Sequence, residues 1–411
     1  MDFFSTSKSL GILGGGQLGK MLLYVTRKWD ITTYVLDPNE DSPARLSCNY
    51  FFTGDLMDFE TVYRFGKHVD LLTIEIENIN VEALEKLENE GVKVFPQPKI
   101  IKTIKNKCYQ KEFYKNNKIP TSLFKIYKKI DQIKDEILKG KLSFPFIWKS
   151  PSSGYDGYGV KVIHSNIDVE LLPKGESLIE EFVHIEKELA VIICRREQGE
   201  VVSYPVLEME FNSNINQVEY VLCPARIDEK IYKKAEEISY KISKKLNHVG
   251  LLVVELFLTD KGNVIVNEIA PRPHNSGHLT IEASYTCQFE QHIRALLNLP
   301  LGKTSIKTPS VMVNLIGNDG YSGPVFYKNI DQILAIDGVI PHIYGKKKTR
   351  PFRKMGHVTV TNSEIAADTI NANFQDTELD PWFRLKPLIV SLFVGPLLWL
   401  YAWRTYSRRE I

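Results

Sequence analysis

The stretch 250-GLLVVELFLTDKGNVIVNEIAPRPHNSGH-278 decides how this chain is read. Two apolar runs flank the polar tetrapeptide Asp260-Lys261-Gly262-Asn263, the pattern of two strands joined by a tight turn. Closure about Lys261-Gly262 sets Asp260 opposite Asn263. The pairing then zips back to place Glu255 opposite Glu268, with Cβ atoms about 5 Å apart on one face. Opposed carboxylates repel unless something neutralises them. Their neighbours (Val253, Val254, Leu256, Val266, Ile269) are apolar, which argues against a freely solvated pair. A bound Mg²⁺ would resolve the conflict, because it takes carboxylate oxygens together with substrate phosphates. Directly after the second acid come Arg272, His274, Asn275 and His278, in a segment stiffened by two prolines. So dense a set of donors suits an anionic ligand.

Working outward, 144-FPFIWKSPSSGYDGYGVKV-162 ends a strand at Lys149, passes through Gly154, Gly157 and Gly159, and enters another strand. Glycines let backbone N–H groups approach phosphate oxygens, and a lysine adds a point charge. The spacing is not GxxxxGK[ST], and the loop joins two strands instead of opening a helix. Beside a Mg²⁺ site it points to a nucleotide triphosphate. The segment 178-LIEEFVHIEKELAV-191 has the form of an inter-strand hinge, and 344-YGKKKTRPFRKMGH-357 carries the one basic cluster, a solvated loop or a grip for a substrate phosphate.

At the other end of the chain, 11-GILGGGQLGKMLLYV-25 contains Gly14-x-Gly16-x-x-Gly19 between an apolar run and a helical pattern, and a strand-like "ITTYVLD" ends at Asp37. That is the opening of a parallel α/β unit and also the spacing of a dinucleotide-binding turn. A helix is expected from about Ile100 to Asn117, followed by a mainly antiparallel region. The expected organisation is an α/β domain over 1–105 with a doubly wound parallel sheet and a small domain over 106–187. A mainly antiparallel domain follows over 188–370, then an atypical tail over 371–411.

The 411 residues, 43% hydrophobic and 25% charged, are those of a globular protein of several domains. A net charge of +2 gives no reason to expect a nucleic-acid partner. Five scattered cysteines without metal-ligand spacing read as reduced thiols, and no secretory signal opens the chain; the cytoplasm is the expected compartment. The uncharged run "PLIVSLFVGPLLWLYAW" (387–403) is at the lower limit for a membrane span. It reads as an anchor, as a helix packed on the protein or a partner, or as sequence foreign to the ancestral gene. The anchor is the less favoured reading.

Taken in order, "GILGGGQLGKML", "GYDGYG", "NEIAPRPHNSGH", "PSVMVNLIG" and "RKMGH" resemble the ATP-grasp superfamily and, within it, the N5-carboxyaminoimidazole ribonucleotide synthases of purine biosynthesis, over about residues 8–370. The resemblance implies an α/β and α+β ATP-grasp fold. It also implies a reaction in which ATP phosphorylates bicarbonate. Carboxyphosphate, or CO2 released from it, then carboxylates the amine of aminoimidazole ribonucleotide, giving ADP and phosphate. Implied cofactors are ATP with Mg²⁺, or Mn²⁺ in its place, and the implied assembly is a homodimer.

The resemblance also assigns roles. Lys107, Lys149 and the loop Gly154, Tyr155, Asp156, Gly157, Tyr158, Gly159 and Val160 contact ATP phosphates. The same loop is the expected lid. Glu180, Glu181, Phe182, Val183 and His184 form the adenine hinge, and Glu188 accepts from the ribose. Glu255 and Glu268 hold the metal, with Asn267 adjoining. Tyr155 and Asp156 lie near the imidazole amine, with Arg272 and His274 around bicarbonate and ribonucleotide. Gln17 and Leu18, with Glu75 or Glu77, face the ribonucleotide, and Lys346 or Lys347, with Arg353 and Lys354, grips its phosphate. Tyr158 stands where many relatives carry a basic residue, and the tail has no counterpart in them. The alternatives are a formate-dependent glycinamide ribonucleotide formyltransferase, an NAD-dependent oxidoreductase built on the opening glycines, and a membrane-tethered binding protein.

Overall fold

The computed structural model describes residues 7–151, 159–212, 217–327 and 329–361. The chain begins with a five-stranded parallel sheet in the spatial order 50–53, 32–37, 9–13, 71–74, 93–94. Helices Gln17–Lys28, Phe59–Gly66 and Val81–Asn89 connect its strands. The central strands are buried on both faces, so they read as continuous apolar runs instead of alternating ones. This is the doubly wound sheet expected from the opening residues.

The single helix expected over 100–117 is two: Pro98–Lys105 and Lys107–Asn116. Asn106 has extended backbone, and its side chain accepts from the N–H of Cys108 (2.8 Å) and Tyr109 (3.2 Å). An asparagine at that position competes with the helix as an N-cap. The break gives Lys107 a place at the start of a new helix, with its own N–H bonded to Pro151 O at 2.8 Å.

Next comes a four-stranded antiparallel sheet in the order 124–127, 177–181, 146–149, 160–163. Strands 146–149 and 160–163 pair Lys149 with Val160, so the glycine loop between them spans a hairpin as expected. Residues 182–184 lead from this small sheet into a nine-stranded one, all of whose pairings are antiparallel. Next to its edge strand 264–270 lie Gly250–Thr259 and then Ile185–Arg195. Alternate residues of these strands divide between two cores. Leu189, Val191, Ile193, Leu252 and Val254 pack under helix Glu229–Leu246; Ala190, Ile192, Cys194, Leu251 and Val253 pack on the other side with Leu279 and Ala295. The apolar stretch 201-VVSYPVLEMEF-211 contributes to two strands, Val201–Ser203 and Leu207–Asn212, with Pro205 between them. Among the described residues no helix is long and apolar enough to cross a membrane. The 387–403 run lies outside the described residues.

Candidate active site

The hairpin forms, but not with the expected register. Thr259, not Asp260, faces Asn263: its N–H donates to Asn263 O at 2.9 Å across a three-residue turn in which Gly262 takes φ +72°. The pairs run Leu258 with Val264, Phe257 with Ile265 and Leu256 with Val266. Continued unchanged, that register would set Asn267 against Glu255 and turn Glu268 to the far face. It is not continued. Beyond the irregularity the pairs are Val254 with Ile269 and Val253 with Ala270, so Asn267 and Glu268 together oppose Glu255 as a β-bulge. Two successive residues thus share one face: the 264–270 strand alternates buried and half-buried except at 267 and 268, both half-buried. The bulge restores the opposition of Glu255 and Glu268 that the turn had shifted, and adds Asn267 to their face.

Three lysines gather at this face. Lys107 Nζ donates to Glu268 Oε2 at 2.5 Å. Lys149 Nζ lies 3.1 Å from Asn267 Oδ1 and 3.0 Å from Glu180 Oε1. Lys111, one turn along the helix from Lys107, donates to Glu180 Oε2 (2.9 Å), Thr121 Oγ1 (2.7 Å) and Ser122 Oγ (2.9 Å). The three lysines, Glu180, Asn267 and Glu268, with Gln110 and Leu178, line a small cavity.

The electrostatics follow the pairing. Burial opposes the charge on Glu268, but Lys107 and Lys149 hold its carboxyl well below the usual range. Glu255 is pushed the other way, first by burial and then by Glu268 and Glu188; Lys107 and Lys354 oppose the rise. Burial lifts Glu188 to about 7 against Lys149, with Glu268 and Glu210 adding to the rise. Glu180 falls to about 2 despite its burial, because Lys149 and Lys111 flank it. Its side chain is therefore engaged with lysines in the interior, and its backbone continues into the connection between the two sheets. Glu181, which ends the small sheet's strand, is exposed, as are Phe182 and His184 on the connection between the two sheets, with Val183 half-buried among them.

The loop after Glu268 also converges here. His274 Nε2 is 3.2 Å from Glu255 Oε1, and its Nδ1 is 3.0 Å from Ser276 Oγ. Arg272 ion-pairs with Glu77 at 2.9 Å, which ties the large sheet to the first domain. From the other side, Lys20 donates to the carbonyls of Ile343 and Tyr344 at 3.1 Å, and Lys347 meets Asp41 at 2.5 Å. The basic loop is thereby drawn to the glycine turn. Lys346 lies over the Tyr344 ring and donates to Lys354 O at 2.6 Å, while Arg353 donates to Lys348 O at 2.6 Å.

The glycine turn itself is already occupied. Glu75 accepts from the N–H of Gly16 and of Gly19, both at 2.7 Å, and Asp37 accepts from Gly15 N–H at 2.6 Å. A Cβ on Gly14 would come within 2.4 Å of Glu75 Cγ, and one on Gly16 within 2.5 Å of its Oε1. The glycines make room for the protein's own carboxylates. The donors that a pyrophosphate would need are spent, and Asp37, which sits where a ribose-binding acid would, is turned inward. The helix N-terminus is therefore not the open anion site that the fingerprint implies, and a dinucleotide does not fit it. Leu18, expected to face the ribonucleotide, is 8% exposed and packs in the core, so only its backbone can face a ligand; Gln17 is half-buried at the helix start.

Gly154, Tyr155, Asp156, Gly157 and Tyr158 lie outside the described residues. The stem of their loop is closed by Ser150 N–H on Gly159 O at 2.8 Å, with Gly159 at φ +78° and Val160 beginning the next strand. Sequence reasoning missed Lys111, Gln110 and Ser122. The four-residue spacing from Lys107 was the available signal for Lys111.

A bulged acidic hairpin under a two-sheet cleft, with lysines from the small sheet and a preceding helix, defines an ATP-grasp protein. The ATP-grasp domain model matches residues 112–289. A ribonucleotide synthetase preATP-grasp domain matches 7–105, and a phosphoribosylaminoimidazole carboxylase C-terminal domain matches 310–369. The chain is 36% identical to the N5-carboxyaminoimidazole ribonucleotide synthase of Bacillus subtilis, covering 85% of this chain and 90% of that one. It superimposes on the N5-carboxyaminoimidazole ribonucleotide synthetase of Thermotoga maritima with a TM-score of 0.79 at 45% identity, covering 86% and 94% of the two chains. The Aspergillus clavatus enzyme, in complex with ADP and aminoimidazole ribonucleotide, gives a TM-score of 0.78 at 33% identity, covering 87% and 94%. The chain belongs to the N5-carboxyaminoimidazole ribonucleotide synthase family. It spans 65% of the phosphoribosylaminoimidazole carboxylase of Vigna aconitifolia, at 37% identity.

Proposed function

We propose that this chain uses ATP and bicarbonate to carboxylate 5-aminoimidazole ribonucleotide on its exocyclic amine. The observation that carries this reading is the convergence on one cleft of Glu255, Asn267 and Glu268 with Lys107 and Lys149, and of Arg272 and His274 from the same continuous segment.

ATP lies, on this reading, between the small and large sheets, with its phosphates toward Lys107 and Lys149 and its adenine on the 182–184 connection. Glu188 is poised to accept from the ribose hydroxyls. The donor set fits a hard divalent ion: two opposed carboxylates and an amide oxygen, with phosphate oxygens to complete the sphere. Glu255 and Glu268 would hold Mg²⁺, which supplies charge neutralisation at the transferring phosphoryl group.

In the first step a bicarbonate oxygen attacks the γ-phosphorus, the bond to the β-phosphate oxygen breaks, and ADP and carboxyphosphate form. In the second, the amine nitrogen attacks the carboxyl carbon of carboxyphosphate, or of the CO2 it releases, and phosphate departs. The amine loses a proton, and His274 is the group placed to take it, its ring held between Ser276 and Glu255. Arg272, anchored by Glu77, offers its remaining donors to the bicarbonate oxygens. Lys354 and Arg353, with Lys346, present the basic face for the ribonucleotide phosphate. Asp156 and Tyr155 are assigned to the amine on family resemblance. Five unpaired cysteines support a reducing compartment such as the cytosol.

The deciding experiment measures phosphate release from ATP with and without aminoimidazole ribonucleotide and bicarbonate. Release that requires both supports the proposal; hydrolysis indifferent to the ribonucleotide overturns it.

A further inference from the structure

We infer that Gln288 is a positioning residue that holds His274 in its working orientation. Gln288 opens helix Gln288–Leu296, outside the cleft, and is fully buried. Its side-chain amide does for His274 what a neighbouring strand would: Oε1 accepts from His274 N–H at 2.9 Å, and Nε2 donates to His274 O at 2.8 Å. Nε2 also lies 3.2 Å from His278 Nδ1, and the Gln288 backbone N–H donates to Thr280 Oγ1 at 2.9 Å. One side chain thus grips both peptide groups of His274.

That grip matters because the segment has little structure of its own. Residues 271–274 lie between the end of the 264–270 strand and a 3-10 turn at Asn275–Gly277. The His274 ring meets Glu255 of the core strand through Nε2 at 3.2 Å, but its Nδ1 is held by Ser276, two residues away in the same loop. Unless the backbone of that loop is pinned to the rigid core, the ring and its partner move together. Gln288 supplies the pin. The packing around it leaves no slack: a Cβ at Gly277 would lie 2.4 Å from Gln288 Oε1 and 2.6 Å from Ile192 Cδ1. A glycine is needed at 277 so that the amide can reach. A group held by such a supporting contact keeps the geometry that a proton transfer requires, and displacement by about 1 Å costs on the order of 100-fold in rate.

The inference rests on the proposed role of His274 in proton transfer, and a double-mutant cycle separates the two. Gln288→Met keeps the volume and removes the amide; Gln288→Glu keeps the shape and sets an acceptor against His274 O. The readouts are the kcat of ribonucleotide-dependent phosphate release and the KM for ATP, with thermal melting to confirm folding. Gln288→Met is expected to lower kcat about 10- to 100-fold and to leave the KM for ATP within about twofold, because the nucleotide contacts lie on other elements. In a His274→Ala background it is expected to cost nothing further. Losses that multiply in the double variant overturn the clamp while leaving His274 in its role. Wild-type turnover in His274→Ala alone overturns that role, and the clamp with it. Should Gln288→Met lose its cooperative melt, the same cycle with Gln288→Glu decides between these outcomes.

Discussion

Replacing Glu180 by Gln removes one negative charge from a nearly closed pocket while keeping its shape. Glu180 has 5% of its side chain exposed, and its carboxylate faces Lys111 (3% exposed) and Lys149 (10%). The neutral amide can still bond Ser122, but the two ammonium groups then confront each other without a counter-charge. Glu180 titrates at about 2, against an ordinary value of 4.5. At about 1.4 kcal/mol per unit, that depression corresponds to roughly 3 kcal/mol of stability. Breaking a buried pair by removing one partner costs about 3–5 kcal/mol, a similar figure. Because the folded value is depressed, the contribution is complete above pH 4.5 and is lost as pH falls toward 2. Lys111 behaves oppositely: burial lowers it to about 8 even with Glu180 present. Without Glu180 it falls further, so the variant should regain stability as pH rises and Lys111 sheds its proton. Urea denaturation between pH 4 and 9.5 reads all of this. Glu180→Gln is expected to lose about 3 kcal/mol at pH 7. The double variant Glu180→Gln with Lys111→Met should recover most of it, since no lone cation remains at 111. A single variant within about 0.5 kcal/mol of wild type, or a double variant no more stable than the single, would refute the reasoning.

Three other outcomes follow from the geometry. Glu268→Gln should cut turnover on the order of 100- to 1,000-fold while the variant still melts cooperatively; near-normal activity would mean that the hairpin is not the phosphoryl-transfer site. Glu75→Ala strips the carboxylate from two glycine N–H groups and should cost about 2–4 kcal/mol in denaturant unfolding. It should confer no NAD binding by fluorescence titration, and unchanged stability would contradict the self-occupied turn. Deleting Asn267 removes the bulge yet leaves Glu255 opposite Glu268 with the flanking pairs unchanged. The variant should therefore fold cooperatively but bind ADP more weakly by calorimetry, having lost the Asn267 contact to Lys149; undiminished affinity would exclude Asn267 from the site.

Much of the architecture was legible because it rests on local patterns. The glycine turn, the first parallel strands and the antiparallel region were readable from apolar spacing. The acidic hairpin was readable from two apolar runs around a four-residue turn. Break points were less legible. Asn106 and Pro205 each divide an element whose apolar pattern runs on, because a cap or a missing N–H acts at one residue while the pattern averages over many.

The sequence by itself determined which ionisable side chains stand close together along the chain and which strands carry them. Period-2 and 3.6-residue patterns report only the faces that residues share. Tertiary structure decided the rest. The bulge at Asn267 and Glu268 restored a register that the turn alone would have shifted by one residue, and such a slip reverses every side chain beyond it. The fate of the opening glycines was decided by Asp37 and Glu75, which arrive from neighbouring strands 22 and 59 positions away from the glycines they bond. A backbone N–H can be given away only once. Whether it goes to a cofactor or to the chain's own carboxylate depends on what the fold brings beside it, and no local spacing records that.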